Sequence, residues 1–485
     1  MTTKNPSQMP ARPGEAAPAL AQPAAGIAAK LRQATSHHQR GEIARAQLLY
    51  REILAQAPDH FDALHMLGVC EYQNGRHASA VELIARAIRI DPDYPLAHVN
   101  MGNALRGLGR QVEALASYDQ ALRLKPEYAT AFYNKGIVLH ELKQPLEALA
   151  SYERALRLQP NHVEALVNQG IALRDLKRAA DALASYERAL RLKPDHADAL
   201  VNRGNALRDM NRAEDGLASY DRALRIKPDH ADALYNRGNV LVELNRPEEA
   251  IAAYRQALAN GGDAEQIKFA LAALGADAVP DAAPAQFVAS LFDQYANRFD
   301  HHLVSDLKYQ SPTELAGQIT RFCPARELDV LDLGCGTGLA GALLRPLART
   351  LTGVDLSPNM LEKARQRKVY DDLIEAELTT FLKTKHGAFD LAVAADVFVY
   401  IGDLARVFAG VRNALRHGGW FSFSIESNEG GDFILRATRR YAHSTAYVEK
   451  LAANHGFSIA SIEPGVLRQE KGADVKGYYV LMRCE

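Results

Sequence analysis

A 34-residue period runs through the N-terminal half of this chain and leaves few folds open to it. Pro58, Pro92, Pro126, Pro160, Pro194 and Pro228 each stand 34 residues apart. Gly68, Gly102, Gly136, Gly170, Gly204 and Gly238 keep the same step, as do Tyr118, Tyr152, Tyr186, Tyr220 and Tyr254, with Tyr50 and Ile84 in the earlier slots. A short unit repeated at fixed spacing cannot bury its apolar face alone, so it stacks on its neighbours and shares a continuous core with them. The pattern inside each unit is helix–turn–helix. A small residue at the glycine position lets the two helices of a unit approach. The aromatic fills the groove against the next unit, and the proline, which cannot continue a helix, sets the turn between units. The repeats fall at 27–60, 61–94, 95–128, 129–162, 163–196, 197–230 and 231–264. Ala34 replaces the glycine in the first and Gly262 the proline in the last, as expected of capping units. A closing helix is expected in the segment before residue 275.

In the unit that starts at Pro95, Gly102, Ala114, Tyr118, Ala121 and Pro126 are spaced so that it resembles the tetratricopeptide repeat. That resemblance implies an α-solenoid with a concave groove and a protein or peptide as its partner. Asn100, Asn134, Asn168, Asn202 and Asn236 each stand two residues before a glycine, where the family faces its groove. There they form a candidate ladder of amides for the backbone of an extended peptide. The competing reading is solvated polar positions copied with the repeats. His162, His196 and His230 follow the turn prolines one full repeat apart and read as turn residues rather than metal ligands.

Composition narrows the function classes. The 57 basic and 58 acidic residues give a net charge of −1, so nothing marks a nucleic-acid footprint. Cys70, Cys323, Cys335 and Cys484 are scattered without a CxxC pair, which argues against a zinc site or disulfide framework and suits a reducing, cytoplasmic setting. No apolar run is long enough for a membrane span. Residues 1–26, rich in Ala and Pro, read as a disordered tail rather than a signal peptide.

After the repeats, residues 276–286 carry Pro, Ala and Asp without periodicity and read as a linker. From 287 to 485 the pattern alternates strands and helices, which predicts an open α/β sheet. Strands are expected at Leu328–Leu333, Leu351–Val354, near Leu373–Ile374, in the FDLAVAADVFVYI run and in GGWFSFSIES, with a closing antiparallel pair in the tail.

The run Val330-Leu331-Asp332-Leu333-Gly334-Cys335-Gly336-Thr337-Gly338, followed by Asp355, FDLAVAADVFVYIGDL and LRHGGWFSFSIES, resembles the motif series of the class I S-adenosylmethionine-dependent methyltransferases. The pairing of both halves resembles the predicted methyltransferases that carry tetratricopeptide repeats. The resemblance implies an α-solenoid followed by a Rossmann-like domain, with S-adenosyl-L-methionine as cofactor and an unidentified methyl acceptor. Carried onto this chain, it places Gly334, Gly336 and Gly338 against the cofactor, Asp332 near its amino-acid end, and Asp355 on the ribose hydroxyls. Leu356 and Met360 would flank the adenine, Glu377 would accept from its exocyclic amine, and Asp396 would close the methionine side. Glycines at such a turn let backbone approach a ligand with no Cβ between them. An acidic residue at the end of the second strand suits a ribose.

Two rival readings stand beside this one. Gly336-Thr337-Gly338-Leu339-Ala340-Gly341 also fits the dinucleotide fingerprint, though that register leaves Asp332 inside a strand. A repeat adaptor whose second domain is inactive or only senses cofactor is the other. Phe292, Tyr295 and Phe299 share a helical face, and Tyr295 and Phe299 are candidate lid residues over the cofactor, or else ordinary core. Methyl transfer from a sulfonium needs proximity and, for some acceptors, a base. Tyr400 and His443 are the weak candidates, while Arg439 and Arg440 hold an anionic substrate or are solvated loop charges.

Overall fold

The computed structural model describes residues 21–295, 300, 307–323, 327–470 and 472–485. The chain divides into two compact units, Met1–Pro228 and Asp229–Glu485. The first helix begins at Ala21, so residues 21–26 of the expected tail are helical. Among the described residues, no helix is long and apolar enough to cross a membrane.

The first unit is a run of helix pairs. In the pair Pro95–Gly107 and Gln111–Leu124, Leu108 ends the first helix and Gly109 turns the chain at φ +73°. Lys143, Lys177 and Asn211 take the same left-handed position in the next three repeats, at φ 58–61°. A single left-handed residue after a helix satisfies its last carbonyls and reverses the chain. The prolines lie between units as expected, and Arg86, Arg188 and Arg222 donate to the carbonyls of Pro58, Pro160 and Pro194 across one repeat. His60, His162 and His196 act as N-caps, accepting from the backbone N–H three residues on.

Each repeat tyrosine covers the glycine of its own unit. A Cβ added at Gly170 would stand 2.4 Å from Tyr186 Cε1, and at Gly102 2.5 Å from Tyr118 Cε1. The same ring joins the next unit: Val99, Leu105, Tyr118, Ala131 and Val138 form one buried cluster. The hydroxyls divide by sequence. Tyr118 and Tyr220 donate to Asn103 and Asn205 at 2.8 and 2.6 Å, whereas the repeat of Tyr186 has Ile171 at that position and the buried Tyr186 hydroxyl has no partner among the described residues. An unmade buried hydrogen bond costs more than a made one contributes. Tyr186→Phe is therefore expected to leave the melting temperature level or raise it, and Tyr118→Phe to cost about 1 kcal/mol. Thermal melting of the two full-length variants checks the contrast; equal losses would remove it.

The second unit opens with the helix pair Ala231–Glu243 and Pro247–Ala259 and the closing helix Ala264–Ala273. It then builds strands β1 (Leu328–Leu333), β2 (Ala348–Asp355), β3 (Asp372–Glu375), β4 (Phe389–Ala394), β5 (Leu415–Glu426), β6 (Phe433–Leu435), β7 (Tyr441–His443), β8 (Phe457–Glu470) and β9 (Ala473–Cys484). Seven of them form one sheet in the order β3-β2-β1-β4-β5-β9-β8, parallel up to β5 and antiparallel through β9 and β8. The tail pair thus closes the sheet as the sequence predicts.

Both faces of the sheet are covered. Leu331, Leu333, Ala392 and Phe421 belong to one buried cluster, and Val330, Leu391, Val393 and Leu481 to the other. Alternate side chains of a strand point to opposite faces, so a strand buried on both sides reads as an unbroken apolar run. Sequence reading misses the short hairpin β6–β7, because three-residue strands in a polar stretch carry no period.

The segment read as a linker is held in place. Gly402 and Asp403 donate to the carbonyl of Asp281 at 2.7 and 2.9 Å, and Ala283 donates to that of Tyr400. Tyr441 donates its hydroxyl to the Pro280 carbonyl at 2.7 Å. Such backbone pairing imposes no side-chain pattern, so composition alone reads as a spacer. The division at Pro228 also puts the last repeat in one compact unit with the sheet, where sequence reading ended the repeats at 275. Phe269 of the closing helix packs on Phe287 and Tyr441, with ring centres 5.4 and 6.3 Å away.

Candidate functional site

Parallel strands end together at one edge of the sheet, and ligands of open α/β folds lie beyond that edge. A cleft opens there, beyond β1, β2 and β4. Its floor is the turn after β1. Gly334, Gly336 and Gly338 all have positive φ, at 64°, 53° and 86°. A Cβ at Gly334 would stand 2.6 Å from Val397, so the turn has no room for a side chain there.

Asp355, the last residue of β2, straps this turn. Its Oδ2 accepts from the N–H of Gly336 at 2.9 Å, and its Oδ1 from that of Ser357 at 2.8 Å. Burial raises its pKa against these hydrogen bonds. A carboxylate has about four lone-pair positions, so two backbone bonds leave acceptor capacity toward the cleft. Glu377 also lines the cleft. It caps the helix Leu378–Leu382, accepting from the N–H groups of Thr379 and Thr380 and from the Thr379 hydroxyl. Burial pushes its pKa up, and these bonds outweigh that and hold the carboxyl below its usual range.

Asp396 sits after β4 at φ 55° and lines the cleft. It accepts from the Ser311 and Ser424 hydroxyls and from Arg468 Nη1 at 2.9 Å. Arg468, 3% exposed, also reaches Glu426 and, at 2.7 Å, Glu470, and Arg440 pairs with that same Glu470 oxygen. Sequence reading missed Arg468, Glu426 and Glu470. They lie on β8 and β5, strands read for their apolar faces, and only the antiparallel closure brings them under the cleft.

The remaining wall is apolar, with Ala283, Val288, Phe292, Val399 and Ile401, joined by Tyr309, Tyr400 and Arg440. The Phe292 and Tyr400 rings meet edge to face, 5.4 Å apart. Burial raises the Tyr400 pKa, partly offset by the Arg440 and Arg468 cations.

The structure brings Gly334, Gly336, Asp355, Leu356, Glu377, Asp396 and Tyr400 together around the cleft, with Gly338 at the start of the following helix. Three residues of the expected set lie elsewhere. Asp332 lies within β1, 1% exposed, beneath the turn, and accepts from the Tyr370 hydroxyl at 2.6 Å. Burial raises its pKa to about 7. Met360 is fully buried in the helix Pro358–Arg367 and is not among the cleft residues. His443 is fully buried on β7, with its Nε2 3.0 Å from the Gly402 carbonyl, and burial lowers its pKa to about 4. Phe299 and the side chain of Tyr295 lie outside the described residues.

Of the amide ladder, Asn100, Asn134, Asn168 and Asn202 lie in the first unit and Asn236 in the second, all half-buried. The Nδ2 of Asn134 donates to Asn103 Oδ1 at 2.9 Å and that of Asn168 to the Tyr133 hydroxyl at 3.4 Å, while that of Asn100 lies 2.9 Å from His65 Nε2. These contacts join each amide to the preceding repeat.

Comparison with known proteins finds repeats followed by a methyltransferase domain. Tetratricopeptide-repeat family models match residues 31–95, 102–143, 127–195 and 201–265, and a methyltransferase-domain model matches 331–423. The ubiquinone biosynthesis O-methyltransferase of Thiobacillus denitrificans is 28% identical over 151 residues, 28% of this chain and 64% of that protein. A malonyl-[acyl-carrier protein] O-methyltransferase of Serratia marcescens is 30% identical over 139 residues, 29% of this chain and 52% of that protein. The 18S rRNA (guanine(1575)-N(7))-methyltransferase of Saccharomyces cerevisiae is 28% identical over 124 residues, 23% and 45% of the respective chains. The chain thus spans less than two thirds of the length of these curated relatives. Among solved structures, YrrB, described as a TPR protein with an unusual peptide-binding site, aligns with 38% of this chain and 95% of its own at 27% identity and a TM-score of 0.34.

Proposed function

We propose that this chain, in which tetratricopeptide repeats precede a methyltransferase domain of Rossmann-like fold, transfers a methyl group from S-adenosyl-L-methionine to an acceptor held in the cleft beyond β1 and β4. One observation carries the reading: three left-handed glycines, with Gly336 held by the Asp355 carboxylate, at the edge of an apolar cleft. The residues present fit the cofactor. Asp355 retains acceptor capacity for ribose hydroxyls, Leu356 and Leu378 supply apolar surface for a base, and Glu377 an acceptor beside them. When bound, the cofactor supplies an electrophilic methyl on a sulfonium.

What the chain adds is position and dryness. Val288, Phe292 and Ile401 exclude water from the far side of the cleft, where a displacement gains most from holding its reactants in line. Tyr400, its pKa raised by burial, is a neutral phenol near pH 7, a hydrogen-bonding partner for an acceptor rather than a strong base. His443, away from the cleft, does not serve as that base. This favours acceptors that are already nucleophilic at neutral pH.

For the repeats, the reading is recruitment of a protein segment. One donor of Asn100, Asn134 and Asn168 is engaged by the preceding repeat, so a bound peptide backbone would meet the rest of these amides.

Calorimetry of the full chain with S-adenosylmethionine and its demethylated product tests the enzyme reading. Saturable heat with both, and label from methyl-labelled cofactor entering protein or small molecules of a lysate, is expected. No heat and no thermal shift with either ligand would end it.

A further inference from the structure

The hairpin β6–β7 carries two adjacent arginines that point to different places. Its turn is tight: Arg436 donates its N–H to the Arg440 carbonyl at 2.9 Å, and Arg439 donates to that of Arg436 at 2.8 Å. Arg439 sits at φ 60°, a region that a residue with a Cβ rarely adopts without being held there.

What holds it is the last repeat. The Arg439 guanidinium donates to the Tyr235 hydroxyl at 3.1 Å, to Asn239 Oδ1 at 2.5 Å and to the Tyr254 hydroxyl at 2.9 Å. It also lies 5.8 Å from the ring centres of Tyr235 and Phe287 and 5.9 Å from that of Tyr254. These partners are neutral, so the cation is received by phenols, an amide and ring faces. The receiving set is peculiar to this repeat. Tyr133 matches Tyr235 but has Ile137 where Asn239 stands, and Asn103 and Asn205 match Asn239 but have Val99 and Val201 where Tyr235 stands.

Arg440, the next residue, faces the cleft. It lines the cleft together with Tyr400 and pairs with Glu470, which in turn holds Arg468 and, through it, Asp396. A peptide unit fixed at Arg439 leaves the Arg440 side chain few directions.

We propose that Arg439 is a positioning residue: anchored in the repeat at 231–264, it holds Arg440 in the cleft wall beside Tyr400. The last repeat is then part of the catalytic unit and not a separable recruitment arm. Naming that wall the acceptor side rests on the methyl-transfer reading; the coupling itself does not.

The test uses the full chain with 3-fluorotyrosine at position 400, followed by fluorine NMR through a pH titration. Arg440→Met gives the reference, a displaced resonance and a Tyr400 pKa raised further by loss of the cation. Arg439→Met is expected to move the resonance the same way and to reproduce at least half of the pKa rise. Tyr235→Phe, which removes one hydroxyl from the repeat and keeps the ring, is expected to give a smaller shift of the same sign and serves should Arg439→Met not fold. A lower melting temperature with the Tyr400 resonance and titration unchanged in either variant would make Arg439 a structural anchor only and overturn the proposal. None of these readouts requires the cofactor, so failure of cofactor binding is a separate result.

Discussion

Asp355→Ala is expected to weaken S-adenosylmethionine binding about tenfold or more. A carboxylate that accepts hydrogen bonds from a ligand contributes roughly 1.5–3 kcal/mol, and each 1.4 kcal/mol is about a factor of ten in affinity. Two effects add in this variant. The ribose loses its acceptor, and Gly336 and Ser357 lose the side chain that fixes their N–H groups, so the turn after β1 is less well formed. Asp355→Asn keeps an amide oxygen for one of those N–H groups and should lose less. Calorimetry on both full-length variants, with the demethylated product as ligand, orders them. Affinity equal to that of the unaltered chain would mean the ribose is held elsewhere and would remove the main support for the cleft's assignment.

Much of this site was legible because local constraints fix it. The spacing from Gly334 to Asp355 reflects one strand–turn–helix–strand unit, and glycine meets a left-handed turn with no room for a Cβ at Gly334, so the motif survives in the sequence alone. The repeats are legible for a like reason. The Tyr186 ring stands where a Cβ on Gly170 would be, and that pairing recurs at every 34-residue step from Gly102 to Gly238. The sequence also places Asp332 in β1, but not its direction. Alternation sends one residue of a strand up and the next down, and which side meets the ligand depends on the layers packed around it. Here that side chain meets Tyr370 beneath the turn.

What the sequence hid was built from distant segments. Ala283 reaches the cleft by backbone pairing with Tyr400, over a hundred residues away, and no side-chain pattern records such a bond. His443 looked like a base because it lies near Arg440 in a polar stretch. The hairpin that carries both buries the histidine against Gly402 and turns Arg440 to the cleft. Neighbours in sequence take opposite roles once a three-residue strand sets their faces.

Arg468 is the furthest case of this kind, and its removal should have the largest effect on stability. The guanidinium is 3% exposed and serves three carboxylates: Glu426, also 3% exposed, Asp396 at 14% and Glu470 at 31%. Breaking a buried ion pair by deleting one partner costs about 3–5 kcal/mol, because the other charge stays behind uncompensated. Arg468→Met keeps the bulk of the side chain and removes only the charge and its donors, so the loss is electrostatic. Its pH dependence follows from Glu470. Burial raises the pKa of that carboxyl, but Arg440 and Arg468 outweigh burial and hold it below the usual value. A carboxyl with a lowered folded-state pKa contributes stability that is present above its unfolded pKa and is lost as pH falls through the folded one. The arginine's contribution is therefore full near neutral pH and fades as Glu470 takes up its proton. Melting of the unaltered chain and of Arg468→Met should differ most at pH 7 and converge as the pH falls through the lowered pKa of Glu470. A gap that is absent at pH 7, or that widens on acidification, would show that packing rather than charge holds these strands under the cleft.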